Sequence, residues 1–138
     1  MRPVLSPTAM LAYASIAASN PNHESDLDLL RRWCCRIPVE TEILAEEVHP
    51  SEHHRPLWNQ VLAQIEQGTL TMLIVPSLFH IAGEDYIALS KALIFLRAHG
   101  VTIKSISEII DSRRDSNHEI IMRLVQDTGK VDAVRGAQ

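Results

Sequence analysis

Imidazole and carboxylate side chains crowd one short stretch of this sequence. His49, Glu52, His53 and His54 fall within six residues. Both groups are common zinc ligands, but their spacing matches neither H-E-x-x-H nor a zinc-finger pattern. Adjacent histidines also rarely reach the same ion. The stretch is therefore either a metal site or a solvated polar loop, and the spacing favours the loop.

Two thiols and a histidine are the other candidates for chemistry. Cys34 and Cys35 are adjacent and do not readily bridge to each other, so they are free thiols, which favour a reducing, cytoplasmic compartment. Cys34 falls on the apolar face of a predicted helix, which is typical of a buried cysteine. His80 follows a predicted strand, and Asp85 suits the N-cap of the next helix. The sequence carries no phosphate-binding glycine loop and no G-x-S-x-G elbow.

The stretch from Leu70 to Asp111 must position several of these groups. An apolar run over Leu70 to Val75, ended by a proline, predicts a strand buried on both faces. A loop over Ser77 to Glu84 follows. Apolar residues from Tyr86 at helical spacing predict a helix that ends at Gly100. A β-branched run over Val101 to Ile106 completes a βαβ unit with parallel strands.

The remaining sequence repeats the alternation of strand and helix. A capping box at Ser25 opens one predicted helix, and a second at Ser116 opens another. We predict an α/β fold with a mainly parallel sheet of four to five strands and flanking helices. We assign residues 1–9 to an N-terminal arm, 10–127 to the domain and 128–138 to a tail. The further elements are strands over Met10–Ile16 and Thr41–Ala45, and helices over Asp26–Arg36 and from Pro56 to Gly68.

Composition narrows the classes of function. The 138 residues are 46% apolar and 22% charged, as in an ordinary globular domain. With 13 basic and 17 acidic residues the net charge is -4, and no dense basic face indicates a stand-alone nucleic-acid binder. No apolar run approaches 18 residues, so a transmembrane helix is not expected.

The order of several motifs resembles the catalytic domain of serine recombinases, the resolvase/invertase family. Y-A-S-I-A at 13–17 stands where the family has Y-A-R-V-S, and H-R-P-L at 54–57 matches its R-P-x-L loop. The segment 68–83 resembles the family motif G-D-x-L-V-V-x-x-L-D-R-L-x-R. The residues L-R-A-H-G-V at 96–101 resemble the L-x-x-x-G-V with which the next helix of the family ends. The resemblance covers about residues 10–126 and implies the resolvase fold.

The departures from that pattern concern the chemistry. The resemblance places Ala17 where active members have the serine that attacks a DNA phosphate, and Ser15 in place of an arginine. Arg55 keeps the loop arginine. Phosphoryl transfer needs a nucleophile and a positive clamp on the developing charge, so we expect a catalytically inactive domain. The family's acid and remaining arginines fall on Phe79, His80 and Gly83.

The resemblance implies a protein that acts by association. We expect a homodimer, or a heterodimer with a recombinase-like protein, that regulates or scaffolds DNA recombination. Contact with DNA would be indirect or weak, because no helix-turn-helix module follows within these residues, and no cofactor or membrane is implied. The predicted interface is an apolar stripe on the last helix, formed by Ile120, Ile121, Leu124 and Val125. The alternative is that this stripe packs on the domain's own sheet.

Two alternative functions stay open at this point. Residual cleavage of a phosphodiester would use Ser15 or Ser19 with Arg55 and His80. A small-ligand module would instead use the crevice between 77–83 and 105–108, at the carboxyl ends of two predicted strands.

Overall fold

The computed structural model describes residues 10–17, 23–36 and 41–136. The predicted arm at 1–9 and Ser19 lie outside the described residues. Strands and helices alternate along the chain. The elements are β1 Met10–Ser15, α1 His23–Arg36, β2 Glu42–Glu46, α2 Pro56–Glu66, β3 Met72–Val75, α3 Phe79–Ala82, α4 Tyr86–Ala98, β4 Thr102–Ser105, β5 Ile110–Asp111 and α5 Asn117–Gly136.

The five strands form one sheet in the order β2-β1-β3-β4-β5. The first four are parallel, with Leu11 of β1 beside Leu73 of β3 and Leu73 beside Ile103 of β4. The short β5 pairs antiparallel with β4. The predicted α/β fold with a mainly parallel sheet is therefore confirmed.

Helices cover the two faces of the sheet unequally. Leu11, Tyr13 and Leu73 point to one face and share a core with α2, α4 and α5. Ala12 and Ile74 point to the other face, where α1 packs with Leu30, Trp33 and Cys34. Successive side chains of a strand point to opposite faces, so β3 is buried on both sides, as its continuous apolar run predicts. Residues 73–75 are fully buried.

The residues that the sequence predicts to begin or end a helix do so for α2, α4 and α5. The Asp85 carboxylate accepts from the Ala88 amide at the start of α4. Ser116 and Glu119 form the reciprocal capping box before α5, since each side chain accepts from the other's backbone amide. Pro56 occupies the first turn of α2. Gly100 has φ +72° after α4, a conformation that glycine adopts without a steric penalty.

Three predicted boundaries are wrong. Helix α1 begins at His23, so Ser25 is not its N-cap; acidic side chains in its first turn favour the earlier start. The predicted loop over 77–84 contains the helical turn α3, stabilised by burial of Leu78 and Ile81. Helix α5 continues to Gly136 instead of giving way to a tail at 128, because an internal glycine costs a helix only about 1 kcal/mol.

The four residues of the predicted interface stripe on α5 differ in how far they are buried. Ile120 is 0% exposed and belongs to the intramolecular core, so it is a structural residue of the domain. Ile121 and Leu124 are partly buried against the same core. Val125 is 41% exposed and Met122 is 40% exposed. Among the described residues, no helix is both long enough and apolar enough to cross a membrane.

Adjacent residues of α4 provide a test of this packing. Leu93→Ala should lower the free energy of unfolding by about 2–5 kcal/mol, because Leu93 is 1% exposed and its removal leaves a cavity. Ile94→Ala is the matched control, since Ile94 is 59% exposed and should change stability by less than about 0.5 kcal/mol. Denaturant unfolding measures both, and equal losses would contradict the assigned orientation of α4.

Candidate functional site

The carboxyl ends of the parallel strands meet at one edge of the sheet, where sites of such folds usually lie. Strand β1 ends at Ser15, β2 at Glu46 and β3 at Val75. The segment 47–55 crosses this edge from β2 to α2, and α3 follows β3. These two segments carry most of the predicted site residues, so their contacts decide what the edge can do.

Arg55 is the centre of the contacts at this edge. It is 5% exposed. Its Nη1 donates to the carbonyl of Pro50 at 2.9 Å and to that of Ile81 at 2.7 Å. Its Nη2 donates to the carbonyl of His80 at 2.8 Å and to the Tyr13 hydroxyl at 3.2 Å. The guanidinium therefore ties the loop, α3 and β1 together, and its Nη donors are used internally.

Two aromatic rings complete the surroundings of Arg55. The guanidinium carbon lies 4.9 Å from the centroid of the Trp58 ring and 5.5 Å from that of Tyr13. Such cation–π contacts are strengthened by desolvation. No carboxylate forms an ion pair with Arg55 among the described residues. The charge is instead held by carbonyl dipoles and ring faces.

A buried carboxylate occupies the N-terminus of α2. Glu46 is 8% exposed and accepts from the amides of Leu57 and Trp58, both at 2.9 Å. It also accepts from the Tyr13 hydroxyl. Burial and this bond raise the pKa of Tyr13. A helix N-terminus favours negative charge, so Glu46 fills a position that could otherwise attract an external anion.

His80 joins β1 to α1 through both nitrogens of its fully buried ring. Nδ1 accepts from the backbone amide of Ser15 at 2.9 Å. Nε2 lies 2.8 Å from a carboxylate oxygen of Asp26. Because Nδ1 must be the acceptor, Nε2 carries the proton and donates to Asp26. His80 thus acts as a fixed crosslink between three elements.

The positions aligned with the family's catalytic groups are buried, except Phe79 and Gly83, which are half-buried. Ala17 is 8% exposed, and Ser15 is fully buried with its hydroxyl donating to the Val48 carbonyl. Phe79 packs edge-on against His49, with centroids 5.7 Å apart. Gly83 has φ +65°, a conformation that L side chains rarely adopt, and a Cβ there would meet the His49 ring at 3.6 Å. An arginine in place of Gly83 would therefore be strained.

The crevice predicted between 77–83 and 105–108 is bridged by Glu108. Its carboxylate accepts from the Leu78 amide at 3.1 Å and from the Ser105 hydroxyl. Leu78 is the residue before α3, so this carboxylate caps that short helix. The two segments do lie together, as expected, but a side chain of the protein spans the space between them.

The histidine stretch does not gather into a ligand set. His49 contacts Ser51, while His53 and His54 are exposed. No group of three or more potential metal ligands occurs within the described ranges 10–17, 23–36 and 41–136. Cys34 is half-buried and Cys35 exposed. Burial, with a smaller contribution from Cys35, raises the pKa of the Cys34 thiol, which lowers its reactivity at neutral pH.

Sequence reasoning missed Tyr13, Asp26 and Glu46. Glu46 directly follows the predicted strand at 41–45, where a site residue could have been sought. No local signal connects Asp26 with His80, which is 54 positions away.

The assembled edge contains buried charges and oriented hydrogen bonds, yet every donor of Arg55 except Nε has an internal acceptor among the described residues. In the described part of the chain, these contacts stabilise the structure of the edge.

Removal of the Arg55 guanidinium tests whether it is structural. Arg55→Gln should reduce the free energy of unfolding by at least about 2 kcal/mol, because hydrogen bonds to a charged group contribute about 1.5–3 kcal/mol each. Arg31→Gln is the control, since Arg31 is 60% exposed in a loose pair with Asp28 and should lose less than about 1 kcal/mol. Urea unfolding measures both. An unchanged or raised stability of Arg55→Gln would mean that the guanidinium is kept free for a ligand.

Comparison with known proteins gives one consistent result. The catalytic domain of TP901-1 integrase superposes with a TM-score of 0.68 at 11% identity, covering 91% of this chain and 97% of that one. A resolvase family site-specific recombinase from Streptococcus pneumoniae gives 0.67 at 13%, covering 94% and 95%. A serine recombinase from Sulfolobus solfataricus gives 0.61 at 14%, covering 93% and 88%.

At these identities the solved structures establish the shared fold. No curated protein sequence matches this chain significantly. The family model for the N-terminal domain of resolvases matches residues 13–131, which include the end of β1, the carboxyl edge of the sheet and most of α5. This chain therefore belongs to the resolvase family and has the fold of a serine-recombinase catalytic domain.

Proposed function

We propose that this chain is a catalytically inactive resolvase-family domain that acts by binding another protein. The observation that carries the proposal is the engagement of Arg55. Its guanidinium is the one family arginine retained at the aligned positions, and it donates to three backbone carbonyls and a tyrosine. A phosphate would have to displace these acceptors before it could be clamped.

The aligned nucleophile position supports the same conclusion. Ala17 supplies no oxygen, and the nearby Ser15 hydroxyl is buried with a carbonyl as its acceptor. Loss of a single charge-stabilising donor already slows reactions of this kind about 10²–10³-fold. Ala17 thus lacks the nucleophilic hydroxyl, and the retained Arg55 guanidinium is engaged internally, so phosphodiester cleavage is not favoured.

Trapping of covalent adducts tests the catalytic part of the proposal. The native chain incubated with supercoiled DNA should give no denaturant-resistant DNA–protein adduct on a gel. Ala17→Ser restores a hydroxyl at the aligned position and should give none either, because the Arg55 donors remain occupied. An adduct with the native chain would overturn the proposal. An adduct with Ala17→Ser alone would show that only the nucleophile is missing.

The exposed part of α5 supports action by association. Met122 and Val125 lie one helical turn apart and are both about 40% exposed. Ile121 and Leu124 beside them are only partly covered by the core. Apolar side chains grouped on one helix gain free energy when a partner removes them from water. A second copy of this chain, or a related recombinase, is the partner we propose.

Light scattering tests this surface. If the native chain is dimeric, Val125→Asp should shift it towards the monomer, because a charge cannot be buried in an apolar contact without a large penalty. Ile94→Asp introduces the same charge at an exposed isoleucine of α4 and should leave the mass unchanged. A dimer that persists in Val125→Asp, or a native monomer that captures no active resolvase, would remove this surface from consideration.

A further inference from the structure

A cavity of about 280 Å³ lies on the α1 side of the sheet, away from the Arg55 cluster. Trp33 of α1 forms one wall, and the turn between β4 and β5 forms the other. Lys104 supplies a cation and Asp111 a carboxylate, while the Arg114 guanidinium is paired with Asp115 at 3.0 Å. The aliphatic lining comes from Ile106, Ile109 and Ile110. Ser105 also lines the cavity, and it donates to Glu108 at the carboxyl edge of the sheet.

The positive charge of Lys104 is only weakly compensated. Its Nζ lies 3.7 Å from Asp111 and 5.4 Å from the centroid of the Trp33 ring. Arg113 holds the same Asp111 carboxylate far more closely, at 2.6 Å from Nη2 and 3.0 Å from Nε. The Arg113 contacts lower the pKa of Asp111 to about 2, so it is ionised at neutral pH and mainly neutralised by Arg113. Lys104 is therefore available to a further anion.

The turn that closes the cavity is strained. Ile109 has φ +54°, which is a genuine outlier for a β-branched residue, and its side chain is 74% exposed. The Arg114 guanidinium holds this conformation by donating to the Ile109 carbonyl at 2.7 Å. Strain of this kind is concentrated at ligand sites. Here it places an exposed apolar side chain at the rim of the cavity, opposite the tryptophan.

We propose that this cavity binds a small molecule that has one aromatic ring and one anionic group, of the nucleoside monophosphate class. The ring would lie between Trp33 and the Ile109 turn, and the anion would face Lys104. An aromatic and aliphatic lining with a few charged groups is characteristic of small-molecule sites. The volume lies just below their usual range of about 300–1,000 Å³, which suits a mononucleotide better than a larger ligand.

Nuclear magnetic resonance of the full chain tests this proposal directly. The protein has two tryptophans, so its indole region contains two signals, and Trp33→Phe assigns them. Adenosine monophosphate at low salt should shift the Trp33 signal saturably and leave that of the buried Trp58 unchanged. Adenosine without phosphate, and inorganic phosphate without a ring, should each bind at least about tenfold more weakly, since each lacks one of the two contacts.

Matched lysine variants identify the anion contact. Lys104→Gln should weaken adenosine monophosphate binding about tenfold or more. Lys91→Gln removes the same charge from an exposed position on α4 and should not alter binding. A Trp33 signal that does not move, or equal affinities in the two variants, would overturn the proposal. A 5′-phosphorylated oligonucleotide that binds more tightly, with the same dependence on Lys104, would support the site and assign its ligand to the end of a strand.

Discussion

The buried guanidinium of Arg55 sets the geometry on which the carboxyl edge of this domain depends. A charge inside a protein is tolerated only with compensating dipoles or opposite charges. Among the described residues those partners are the carbonyls of Pro50, His80 and Ile81, together with two aromatic rings. These partners come from the loop, α3, β1 and α2, so satisfying this one charge fixes those parts of the edge relative to one another.

The buried carboxylates at this edge also need compensating dipoles, and backbone amides supply them. Glu46 accepts from backbone amides at the start of α2, and Glu108 accepts from the Leu78 amide before α3. Helix N-termini carry partial positive charge and commonly bind phosphate or sulfate. In this chain, internal carboxylates take those places. Among the described residues, internal partners thus satisfy these charges apart from Nε of Arg55, and this supports the proposed role in association.

The two faces of the sheet carry different features. The larger core with α2, α4 and α5 anchors the Arg55 cluster and leaves Met122 and Val125 at the surface. The face covered by α1 carries the cavity between Trp33 and the β4–β5 turn. Lys104 belongs to this second face because its neighbours Ile103 and Ser105 point to the other one. A ligand in the cavity and a partner on α5 would therefore contact different surfaces of one domain.

The order of strands and helices could be predicted because it depends on local patterns. The apolar run at 70–75, the cap at Asp85 and the capping box at 116–119 each act within a few residues. Helix ends are harder to predict, as the early start of α1 and the long α5 demonstrate. Tertiary contacts and charge near the helix termini outweigh helix propensities of a few tenths of a kcal/mol.

The sequence alone determined the α/β fold, its family pattern and the loss of the aligned serine at Ala17. Only the tertiary structure decided that Arg55 is engaged internally, that His80 links Ser15 to Asp26, and that Ile120 is core, because these contacts join residues tens of positions apart.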